Sequence, residues 1–149
     1  MLLPVGLVGL ALVGVLAAGH AMAGPGAAID APLGPGAVTV NLTIHHSSYS
    51  PNQLRVRPGT TVTFVLRNDD PIGHEFIIGD ADVHRRHEAG TEPVHPPRPG
   101  EVSIAAGTTA TTTFTFPDAS PSGSVLFACH LPGHFRYGMS GNVEVVPTG

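Results

Sequence analysis

From about residue 37 onward the apolar side chains fall on every second position, and this alternation constrains the fold more than any other feature of the chain. Val38, Val40, Leu42 and Ile44 share one parity, and Val62, Phe64 and Leu66 repeat the pattern in the next long run. A strand sends successive side chains to opposite faces, so a period of two describes a sheet with one face in a core and the other in water. Shorter runs suit strands at Gln53–Val56, His74–Ile78, Glu101–Ile104, Thr109–Phe116, Ser124–Cys129 and Asn142–Val146. Turn formers separate them: Arg57-Pro58-Gly59, Asn68-Asp69-Asp70-Pro71, Ala106-Gly107 and the stretch from Pro117 to Gly123. No window carries the 3.6-residue apolar repeat of an amphipathic helix. Seven or eight short strands of this kind predict an all-β chain folded as a two-sheet antiparallel sandwich.

The 149 residues suffice for one hydrophobic core and one main site. Formal net charge is −4, and every basic side chain is a scattered Arg, so no basic stripe exists to hold a phosphate backbone and no nucleic-acid partner is expected. The single cysteine, Cys129, rules out an internal disulfide.

Export is read from the N-terminus. Leu2 to Ala18 is an uncharged apolar run followed by Ala21-Met22-Ala23, a small-residue cleavage signature, although no Lys or Arg precedes the run. Residues 1–23 are therefore expected to be a signal peptide, with retention as a membrane anchor the alternative. Residues 24–36, rich in Gly, Pro and Ala, read as a flexible linker, and residues 37–149 as the folded domain. The expected location is extracytoplasmic: periplasmic, secreted or tethered on the outer face.

The most informative stretch runs from Phe127 to Met139 and has the form C-x4-H-x4-M. Cys129 ends an apolar strand and Pro132-Gly133 forces a turn, so His134 and Met139 can fold back toward the thiol within one short loop. A soft thiolate, imidazoles and a weak thioether form a donor set suited to copper as Cu(I) and Cu(II), whereas hard ions select oxygens. The loop supplies three donors. His74, which opens a strand after the Asn68–Gly73 turn, is the best candidate for the fourth, since a sandwich can place it at the same end.

On these residues the chain resembles the cupredoxins, the small blue type 1 copper proteins of plastocyanin and azurin type, across roughly Ala37 to Val146. The resemblance rests on Asn68 with His74-Glu75-Phe76 and on Cys129, His134 and Met139. It implies a Greek-key sandwich with one copper ion, His74, Cys129 and His134 as strong equatorial ligands, Met139 as a long axial ligand, and backbone near Asn68 supporting the thiolate. It also implies one-electron transfer through the edge of His134. Leu131, Pro132, Phe135 and Tyr137 would then form an apolar docking patch for transient encounters of a monomer with extracytoplasmic redox proteins.

His130 sits where multicopper oxidases carry a histidine that feeds a trinuclear cluster. The chain has no His-x-His pair and Ala128 precedes Cys129, so His130 is expected to turn away from the copper. The polar insertion from Asp80 to Gly100 holds His84, His87, Glu88, Glu92 and His95. It is expected to be a solvated loop, with a second metal or loading site at His84, His87 and His95 as the alternative. His45-His46 is expected at the surface. The function expected first is electron carriage, then copper binding for resistance, storage or delivery; an oxidase or reductase would need an open coordination position or a second metal.

Overall fold

The computed structural model describes residues 28–90, 96–116 and 123–147. The expected signal or anchor segment, residues 1–23, lies outside them, as do Glu92 and His95. The described residues form β1 (Gly36–His45), β2 (Ser48–Ser50), β3 (Gln53–Val56), β4 (Thr60–Asn68), β5 (His74–Gly79), α1 (Ala81–Glu88), β6 (Glu101–Ile104), β7 (Thr109–Thr115), β8 (Ser124–Ala128) and β9 (Ser140–Val145). No helix among them is long and apolar enough to cross a membrane.

Two sheets face each other, one ordered β2-β1-β4-β7 and the other β3-β9-β8-β5-β6. The alternation reads out as predicted in β4, where Thr60, Val62, Phe64, Leu66 and Asn68 point inward and the residues between them do not. Between the sheets lies an aromatic cluster. Phe76 meets Phe64 at 4.9 Å and Phe127 at 5.2 Å, and Tyr49 packs edge-on against Phe127 at 5.3 Å. Such tilted and edge contacts suit the ring quadrupoles.

Three features differ from the expectation. Both sheets are mixed, because β1 pairs parallel to β4 and β3 parallel to β9. The chain leaves β2 for the other sheet at β3 and returns alongside β1, and a hydrophobic period reports faces, not strand directions. The expected linker is structured from residue 28 on: the N–H groups of Ile29 and Leu33 donate to the carbonyls of Gln53 and Arg55, fastening this stretch to β3. Pro and Gly discouraged a strand there, but an edge partner needs only every second donor.

The third difference is α1, inside the insertion expected to be a loop. The Asp80 side chain accepts from the N–H groups of Asp82 and Val83, capping the first turn, and Arg85, Arg86 and His87 in the last turn suit the carbonyl end of the helix dipole. The helix escaped the period search because its one buried residue is a histidine, His84. α1 lies over β5, which is why all six residues of that strand are buried where ordinary strands alternate.

Candidate metal centre

Strand pairing brings the remote donors to one end of the sandwich. β5 runs antiparallel to β8 with Ile77 opposite Ala128, so His74 at the start of β5 stands level with the loop that follows β8. That loop is tied by its own backbone: His134 N–H donates to Leu131 O, Met139 N–H to His134 O, and Cys129 N–H to Met139 O. Gly133 and Gly138 supply the positive φ angles, 86° and 95°, that let the loop between β8 and β9 fold back on itself.

His134 Nδ1 lies 3.3 Å from His74 Nδ1 and 3.3 Å from Cys129 Sγ. The donors of His74, Cys129 and His134 all fall within 4.8 Å of one another, and they form the one such group of three among the described residues. Two ligands at about 2.0–2.3 Å from one ion stand roughly 3–4 Å apart, so this trio fits a single metal. Met139 completes the set at 1% exposure, packed in the core beside Cys129. His74 and Cys129 are buried and His134 is partly exposed, giving the centre one open edge.

His74 is oriented by a residue that the sequence reading passed over. Its Nε2 stands 2.9 Å from Asp70 Oδ2. The ring N–H donates to the carboxylate and leaves Nδ1 bare toward the site, the arrangement that fixes a metal-binding tautomer. Burial pushes the Asp70 carboxyl up, but the N–H groups of Ser47 and His46, together with His74, outweigh it and hold Asp70 below the usual carboxylate range. The available signal was a carboxylate four positions before a ligand histidine, across a turn.

Cys129 is fully buried, and burial pushes its thiol up to about 11. The backbone N–H groups of Glu75 and Leu131 work against that rise, and the Glu75 carboxylate adds to it. Sulfur support therefore comes from Glu75 and Leu131. The Asn68 side chain instead donates to Ile72 O and Ala105 O and accepts from Asp70 N–H, bracing the turn that carries Asp70. Glu75, to which the sequence assigned no role of its own, is 2% exposed and accepts His130 N–H through Oε1. Burial and then the neighbouring His74 hold His134 below the usual imidazole value, so its lone pair is available at neutral pH.

The other sequence candidates are placed as follows. His130 turns away from the trio toward α1, its Nε2 2.8 Å from His84 Nδ1. His84 and His87 belong to α1, and His45 and His46 are exposed. Around His134, Leu131 and Phe135 are half-buried, while Pro132 is exposed and Tyr137 is 88% exposed.

A two-sheet sandwich that gathers a buried thiol, two imidazoles and a thioether at one end defines a single-copper cupredoxin. The sequence pattern of the plastocyanin/azurin family of copper-binding proteins matches residues 37–146, and the chain belongs to that family. Over 100 residues, 65% of this chain, it is 37% identical to the copper-resistant cuproprotein CopI of Rubrivivax gelatinosus, of whose length the match spans only 59%. It is 28% identical to the protein of the same name from Pseudomonas aeruginosa over 183 aligned positions, 98% of this chain and 97% of that one. Among solved structures, reduced auracyanin from Roseiflexus castenholzii superposes with a TM-score of 0.58 at 22% identity, covering 76% of this chain and 98% of that one. Auracyanin A from Chloroflexus aurantiacus gives 0.58 at 24% identity, covering 74% and 100%. These two establish the fold. Copper is the metal of the site, and it supplies a one-electron couple between Cu(I) and Cu(II).

Proposed function

We propose that this chain binds copper outside the cytoplasm in the service of copper resistance, holding one ion in a type 1 site and catalysing no reaction of its own. The observation that carries the reading is the convergence of His74, Cys129 and His134, whose donor atoms all lie within 4.8 Å of one another. Thiolate and imidazole donors together can hold copper in either charge state. The end-to-end similarity to a protein named for copper resistance supports the physiological half of the reading. Export is supported by the apolar N-terminal run and the Ala21-Met22-Ala23 signature.

Electron carriage, the function the sequence puts first, stays as a second reading on one observation. The partly exposed His134 lies amid Leu131, Pro132, Phe135 and the outstanding Tyr137, a small apolar rim suited to brief encounters of a monomer with redox partners.

Expression in a copper-sensitive bacterium separates the two. The wild type should restore growth on copper and Cys129→Ser should not, while Leu131→Ser/Tyr137→Ser should slow electron exchange in vitro yet still protect. Protection by Cys129→Ser equal to wild type would end the resistance reading. Loss of protection in the rim double variant, with copper binding intact, would make electron carriage the primary role.

A further inference from the structure

One peptide bond away from the copper trio stands a second group of imidazoles. His84 and His87 lie on successive turns of α1, and His130 follows Cys129 in the loop. His84 Nε2 faces Leu126 O at 3.1 Å, and His87 Nδ1 faces Val83 O at 2.8 Å. A carbonyl only accepts, so the nitrogen facing it carries the ring proton. The opposite nitrogen of His84, Nδ1, is left as a lone pair in the neutral ring, while His87 Nε2 faces the Glu101 carboxylate. This is how ligand histidines are held in metal sites, with the outer N–H given to a backbone carbonyl.

His84 Nδ1 points at His130 Nε2 from 2.8 Å, and the His87 and His130 ring centres are 6.1 Å apart. The far nitrogen of His130, Nδ1, is buried without any hydrogen-bond partner. A buried polar atom left so is uncommon and calls for an explanation. Beside the group opens a cavity of about 640 Å³, lined among others by Glu75, His87, Glu101 and His130. Glu101 Oε2 stands 3.5 Å from His87 Nε2. The cavity gives an ion a way in; Arg86 and Arg98 line it too and each pairs with Glu101 at 3.5 Å, so the imidazoles rather than net charge would hold the metal.

We propose that His84 Nδ1 and His130 Nε2, with His87 closing from across the cavity, bind a second copper ion beside the type 1 centre. Imidazoles without sulfur favour Cu(II) over Cu(I), so this site would take up the oxidised ion. The backbone of Cys129 and His130 joins the two centres directly. The proposal rests on the copper-handling reading only for the choice of ion.

The test titrates the full chain with Cu(II), following the thiolate-to-copper absorption band for the first site and electron paramagnetic resonance for the second. In the wild type the band should saturate at one equivalent, and a second equivalent should add a signal with nitrogen hyperfine structure and no new band. His130→Gln and His87→Ala should each weaken that second equivalent about tenfold or more, leaving the band in place. His87 lies on α1, outside the Cys129 loop, so its variant tests the site should a change at His130 disturb the loop. Saturation of the wild type at one equivalent would overturn the proposal, as would a second equivalent undiminished in both variants. A second signal that persists in Cys129→Ser, where the band is lost, would support this site independently of the first.

Discussion

The Asp70 carboxylate joins two parts of the fold that are far apart in sequence. It accepts the N–H groups of His46 and Ser47, at 2.7 and 2.8 Å, in a turn where both residues have positive φ, 50° and 52°. Left-handed backbone costs a non-glycine residue about 1–2 kcal/mol, and the two hydrogen bonds to a charged acceptor offset it. The same group accepts the His74 ring N–H. Asp70→Asn should therefore keep the trio but loosen His74, weakening copper affinity about 10–100-fold, as competition with a chelator would show. Affinity equal to wild type would mean that His74 is positioned by packing alone. The ligands were legible because C-x4-H-x4-M is a local spacing and His74 opens a strand. Asp70 and Glu75 were not, because their roles depend on which loops the sheets bring together.

At the scale of elements, β5 and α1 show how far a periodic reading extends. A half-buried strand announces itself by alternation, but β5 is covered on both faces and its six residues read as an undifferentiated run. Its cover, α1, lacks an apolar stripe. Contact between the two is close at Gly79, where an added Cβ would stand 2.9 Å from Val83 Cγ2 and 3.0 Å from Val83 Cβ. Gly79→Ala should destabilise the apo domain by roughly 1–3 kcal/mol through overpacking. Adding Val83→Ala should recover part of that loss, a coupling that a double-mutant cycle in urea can measure. If the two changes add without coupling, α1 does not rest on β5 in solution. The sheet order was equally hidden, since the parity of Val38 to Ile44 is the same whether β1 meets β4 parallel or antiparallel.

Across the whole molecule, the copper centre fastens chain segments sixty positions apart, His74 and His134, at the end of the sandwich where β5 begins and β8 ends. Metal binding should therefore stabilise the entire domain, by an amount set through mass action. That stabilisation depends on pH through Cys129. In the metal-free fold the thiol keeps its proton up to about 11, raised from 9.0. A folded value above the unfolded one contributes stability that is complete below about pH 9 and is lost as pH climbs toward 11, so the apo protein should weaken in alkali. Copper requires the thiolate, so below that range each ion bound expels one proton, and affinity should rise about tenfold, roughly 1.4 kcal/mol, for each pH unit. Thermal unfolding of apo and copper-loaded protein at fixed free copper, at about pH 6 and pH 8, reads this directly. The gap between the two melting temperatures should widen with pH, and in Cys129→Ser the widening should disappear. A gap in the wild type that stays constant between these pH values would mean that the thiol loses its proton before the metal arrives, and that burial does not govern this sulfur.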